Sequence, residues 1–126
     1  MITEDYVSLE TAKLLKEKGF DEGCRQYWYK GNIVFSRSEI WNRELDNYEN
    51  EGWTAPTLQM AMKWLREVHN YNIEIDTIGQ KSRNTLSWRS VIYNLEHDIE
   101  CYREENFKSY EEACEAAIKY CLENLI

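Results

Sequence analysis

Apolar residues recur along this chain at two periods, and the changes between them mark its elements. Leu9, Ala12 and Leu15, with Leu14 beside them, fall on one stripe at helical spacing. Ser8 stands where an N-cap belongs, and Glu10 meets the positive end of the helix dipole. Gly19 followed by Phe20 supplies a left-handed stop, so a helix is predicted over 8–18. Residues 24–35 change character. Cys24-Arg25-Gln26-Tyr27-Trp28-Tyr29 and Ile33-Val34-Phe35 are β-formers parted by Lys30-Gly31-Asn32, which predicts a hairpin. In 36–53 the period is lost. Ser36 or Ser38 would cap a short helix through Leu45, but Asn42, Asn47, Asn50 and Gly52 dilute it, and the stretch reads as a partly ordered excursion.

The strongest stripe follows. Thr54-Ala55-Pro56 opens a second long helix, with proline in the first turn, where no amide donor is needed. Leu58, Ala61, Leu65 and Val68 line its apolar face, joined by Met62 and Trp64. Residues 73–78 then alternate as a half-buried strand, 79–84 make a polar turn, and 86–95 form a second strand. Ser109-Tyr110-Glu111-Glu112 spells a capping box. It opens a last helix to about Asn124, which buries Ala113, Ala117, Cys121 and either Tyr110 or Leu125. This order predicts a single α+β domain over 1–126. Two hairpins would form one antiparallel sheet of about four strands, packed with three to four helices. Ser8-Leu9-x-x-Ala12 and Thr57-Leu58-x-x-Ala61 begin the two halves alike, but the spacing downstream differs by a residue, so a repeat is not established.

Composition supports a packed core. Of 126 residues, 43% are hydrophobic and 13% aromatic, enough to enclose an interior. The net charge of −8 works against binding phosphate backbones over a broad face, and against anionic membranes, because both need Lys and Arg. No basic stretch precedes an apolar one at the N-terminus, and no apolar run could span a membrane, so the expectation is a cytoplasmic protein. Cys24, Cys101, Cys114 and Cys121 are then reduced thiols acting as small core residues. Cys114 and Cys121 lie roughly 10 Å apart along one helix, too far to bridge.

Three blocks carry a resemblance. They are Val7 to Glu22, then Ala55-Pro56-Thr57 leading to Lys63-Trp64-Leu65-Arg66-Glu67, then Tyr110-Glu111-Glu112-Ala113. In this order the chain resembles a group of short uncharacterised proteins from Bacteroides-type bacteria and their phages or mobile elements. The resemblance implies a genomic setting, and no catalytic residue comes with it.

Catalytic chemistry has little to draw on. His69 closes a helix, where a cation would suit the negative end of the dipole. His97 and Cys101 would share a helix face, but no second ligand pair accompanies them, so no metal is expected. No phosphate loop or nucleophile elbow is present, and no cofactor is expected. Tyr27, Trp28, Tyr29, Trp41, Tyr48 and Trp53 form the most suggestive cluster. Strand alternation sends Trp28 to one face and Tyr27 and Tyr29 to the other, which makes these three the candidate protein contacts. Lys81, Arg83 and Arg89 lie in an acid-free stretch from Thr77 to Leu95, a candidate basic patch, whereas 96–115 holds eight acids against Arg103 and Lys108. That segregation could steer a homodimer. The expected function is a non-catalytic protein-interaction module of phage or mobile-element origin. Two alternatives stay open: a nucleic-acid-associated protein using the basic hairpin, or an acidic mimic of DNA.

Overall fold

In the computed structural model, which describes residues 2–45 and 51–126, each predicted hairpin gains a third strand, and the two hairpins do not share a sheet. The class is α+β as expected. The single sheet of about four strands is corrected to two antiparallel sheets of three. The chain groups into two compact units, residues 1–60 and 61–126, described in turn.

The first unit opens with helix α1, Leu9–Glu17. Ser8 Oγ accepts the Thr11 amide at 3.2 Å, and Gly19 ends the turn at φ +93°. Thr11, Ala12 and Leu15 face the interior. Strands β1, Cys24–Tyr29, and β2, Asn32–Ile40, form the hairpin. Its two turn residues are Lys30 and Gly31, both at positive φ, the mirror-image turn whose twist matches the strands. A short β3, Trp53–Thr54, pairs with the other side of β1, so the order is β2-β1-β3.

The excursion over 36–53 is corrected in its described part. No helix starts at Ser36 or Ser38: β2 runs on to Ile40 with an irregular register, and a single 3-10 turn covers Asn42–Leu45. The reason is long-range. Asn42 is buried; its amide donates to the Phe20 carbonyl at 2.7 Å and accepts from the Thr54 amide at 2.9 Å. Lys16 Nζ donates to the carbonyls of Leu45 at 3.2 Å and Gly52 at 2.9 Å. Asn47, Tyr48 and Asn50 lie outside the described residues.

Helix α2, Leu58–His69, begins two residues after Pro56, not around it. Thr57 Oγ1 accepts the Met60 amide at 3.1 Å and serves as the cap. The Pro56 carbonyl instead accepts the Val7 amide at 3.0 Å, and Leu58 N donates to the Asp5 carbonyl at 3.0 Å. Tyr6 and Thr57 thus form an antiparallel bridge that ties down the start of the chain.

The second unit takes in the rest of α2, where Ala61, Met62, Trp64 and Leu65 are buried. Val68, predicted on the same stripe, is 54% exposed. It lies in the last turn, just before Asn70 leaves the helix at φ +63°. Strands β4, Tyr71–Ile78, β5, Ser87–Asn94, and β6, Ile99–Phe107, follow in the order β4-β5-β6. Strand β6 went unpredicted because it lies at an edge. Only Tyr102 and Phe107 are shielded, so charge outweighs the period of two.

Helix α3, Tyr110–Asn124, starts at the predicted cap, with Ser109 Oγ accepting the Glu112 amide at 3.1 Å. Glu112 reaches back to the Lys108 amide at 3.3 Å, one residue earlier than in the standard box. Ala113, Ala117 and Cys121 are fully buried, with Cys114, Ile118 and Leu122, while Tyr110 and Leu125 are both half-buried. Register places Ile73, Ile92 and Tyr102 on one sheet face. Tyr102 stacks on Tyr120 at 3.6 Å, and Trp88 meets Tyr110 edge to face at 5.6 Å, so this face is the one under α3.

Candidate functional site

The three aromatic candidates on β1 divide by face. Trp28 pairs across the sheet with Ile33 and Trp53, and its indole N–H donates to the Val7 carbonyl at 3.1 Å. Its polar atom has an internal partner, so Trp28 anchors the segment that leads into α1. Tyr27 and Tyr29 occupy the other face. Their ring centroids are 6.5 Å apart, inclined at 57°. Both are half-buried and border an open recess of about 410 Å³, completed among the described residues by Ile40, Glu44 and Leu45. The end of β2 brings Ile40, and the 3-10 turn held by Asn42 brings Glu44 and Leu45.

Tyr29 also borders a second recess of about 350 Å³, with Leu9, Lys13, Lys30 and Trp53 among its lining. There the chain's own cations cover the rings. Lys13 Nζ sits 4.7 Å from the Trp53 ring centre and Lys30 Nζ 5.3 Å from that of Tyr29. Arg43 lies over Trp41 at 5.2 Å and pairs with Asp21 at 2.8 Å. Phe35, on the face of Trp28, is 68% exposed and meets Tyr6 edge to face at 6.2 Å.

The basic candidates do not gather into one patch of free cations. Lys81 and Arg83 lie exposed on a 3-10 turn, Lys81–Arg83, between β4 and β5. Arg89 sits within β5, opposite Asp76 of β4. Its Nε donates to Asp76 Oδ1 at 2.8 Å, its Nη2 reaches the other carboxylate oxygen, and Glu105 lies 4.0 Å away. Arg103 and Glu100 pair on β6. These hydrogen bonds hold the Asp76 and Glu100 carboxyls below their ordinary range and raise both guanidinium groups. Arg89, within the stretch without acids, is therefore neutralised from both flanking strands. Linear sequence separated charges that the sheet register brings together.

The buried thiols are unsuited to nucleophilic work. Burial pushes Cys24 and Cys114 up to about 11 and Cys121 to about 12, so each stays protonated near neutrality. His69 closes α2 as expected. Burial lowers its pKa, which works against the charged form, and its ring packs against Trp64 at 4.6 Å. His97 falls in the β5–β6 turn and Cys101 on β6, so the helical ligand pair does not form. Among the described residues no group of three His, Cys, Asp or Glu could hold a metal. No helix there is long and apolar enough to cross a membrane.

The tyrosine pair was legible from alternation alone. Ile40, Glu44 and Leu45 were not, because that stretch reads as a partly ordered excursion, and only the irregular β2 register and the Asn42 brace bring them beside Tyr27 and Tyr29. Comparison with protein families, with curated proteins and with solved structures finds no match to this chain.

Proposed function

We propose that this protein is a non-catalytic module that binds another protein, in the setting of a phage or mobile element, with Tyr27 and Tyr29 at the contact. The observation that carries this reading is the half-buried tyrosine pair opening on a 410 Å³ recess. Tyrosines combine a large apolar ring with a polar tip and lose little conformational entropy on docking, which is why they concentrate at binding hot spots. Trp28 supports the contact from behind through its bond to Val7. The alternatives have less to stand on. A nucleic-acid surface would keep Lys81 and Arg83 but not Arg89, whose charge is already matched by Asp76. A mimic of DNA needs uninterrupted negative charge, whereas Arg89 and Arg103 intervene among the acids of the second sheet.

The test is photo-crosslinking in the producing cell. Azidophenylalanine, close to tyrosine in shape, replaces Tyr27, and in a control replaces Arg103 on the second sheet. The expected result is one defined protein adduct from position 27 and none from 103. An adduct of twice the chain's mass would make the partner a second copy, and light scattering of the purified protein would then show a dimer. No adduct at position 27, or the same adducts from both positions, rejects the reading.

A further inference from the structure

We infer that the Tyr27–Tyr29 recess receives the side-chain ammonium of a lysine carried by the partner protein; this rests on the protein-binding reading and gives it a chemistry. The argument starts from the neighbouring recess, where the chain satisfies aromatic rings with its own lysines, Lys13 over Trp53 and Lys30 over Tyr29. The first recess shares Tyr29, over which Lys30 already lies, and adds the Tyr27 ring. Two tyrosine rings and the Glu44 carboxylate border it, and no Lys or Arg is among its described lining residues.

Of the cations close by in the chain, Lys30 lies over Tyr29 on the side of the second recess, and the others are committed elsewhere. Arg43 pairs with Asp21 and covers Trp41, and Lys16 donates to the Leu45 and Gly52 carbonyls. Arg25, earlier on the same strand, borders neither recess. The five residues after Leu45 in the sequence are Asp46-Asn47-Tyr48-Glu49-Asn50, with two acids and no base. The Glu44 carboxylate makes no ion pair with a described residue. A net charge of −8 further favours a cationic partner group at long range.

Geometry chooses the head group. A guanidinium is flat and favours stacking on a ring or lying in a slot between parallel ones. Rings inclined at 57° form no such slot, and a compact ammonium needs no parallel planes to lie against them. The four-carbon stem would lie along Ile40 and Leu45, with the charged head toward Glu44 and the rings.

The experiment is an NMR titration of the isotopically labelled full chain with Nα-acetyl-lysine methylamide. Saturable shifts are expected at Tyr27, Tyr29 and Leu45. The ε-acetylated analogue keeps the stem and loses the charge, and should bind roughly 2- to 30-fold more weakly, the span of measured cation–π energies. Glu44→Gln alters an exposed side chain and leaves the fold intact, and should weaken lysine binding severalfold. Equal binding of the acetylated analogue, tighter binding of the arginine counterpart, or no saturable shift at these residues overturns the inference. If the probe fails while the adduct at position 27 persists, the lysine assignment falls and the protein-binding reading stands. If the ammonium binds and no adduct forms, the reading of a protein partner falls instead, and the lysine inference with it.

Discussion

The two three-stranded sheets place their polar and aromatic side chains in opposite ways. In β4-β5-β6 the aromatics Trp88 and Tyr102 are held against Tyr110 and Tyr120 of α3, and the opposite face is matched by ion pairs, Arg89 with Asp76 and Arg103 with Glu100. In β2-β1-β3 the aromatics stay near the surface. Tyr27 and Tyr29 border a recess, Phe35 is exposed, and the carboxylate of Glu44 has no cation of its own among described residues. The first arrangement matches these rings and charges within the chain. The second keeps Tyr27, Tyr29 and Glu44 at the surface, where the proposed partner would meet them.

That contrast can be broken by measurement, beginning with the largest effect. Ile92 is fully buried beneath α3, so Ile92→Ala should cost about 2–5 kcal/mol in urea unfolding, through lost burial and the cavity left behind. A cost below that of surface changes would show that the second sheet is not the packed one. Asn42→Ala should cost about 1–3 kcal/mol, because the Phe20 carbonyl and Thr54 amide lose buried partners. It should also perturb the NMR signals of Glu44 and Leu45, since the turn that carries them loses its brace; unchanged signals would separate the brace from the recess. Ser109→Ala removes the cap of α3 and should cost about 1 kcal/mol, with no change in lysine-probe binding.

The smallest effect concerns the ion pairs. The Asp76 carboxyl is held below its ordinary range by Arg89, so it takes up a proton less readily in the folded chain than in the unfolded one. Its stabilisation is then present above the ordinary carboxylate pKa and is lost as pH falls through the lowered folded value. The pair is exposed and screened by solvent, so the gain is slight. Asp76→Asn should lower the urea midpoint slightly at neutral pH, and the difference from the parent should vanish in strong acid. A difference that grows with acid would reverse the assignment.

How much was legible depended on how far each signal reached. Helix α1 and helix α3 were readable because Ser8, Gly19 and Ser109 act on amides within one turn. The first hairpin was readable from Gly31 and the flanking β-formers, and β4 and β5 from their period. Strand β6 was hidden because an edge strand bearing Glu100, Arg103, Glu104 and Glu105 looks like a solvated acidic run until its partner strand is known. Proline at 56 suggested a helix start two residues early, since the Val7 amide that claims its carbonyl lies far back in the chain. In the candidate site, Tyr27 and Tyr29 were visible from strand alternation. Glu44 was not, because its position depends on one buried asparagine bridging Phe20 and Thr54.

By itself the sequence determined the mixed helix and strand class, the caps of α1 and α3, the turn of the first hairpin and the faces of β1, all of which follow from forces acting within a few residues. Only the tertiary structure decided that the hairpins belong to separate sheets, that Arg89 is neutralised, and that Glu44 joins the tyrosines. Those outcomes depend on strand register and buried hydrogen bonds between distant residues. A one-residue shift in register would send the same side chains to the opposite face, and no local period records which register was taken.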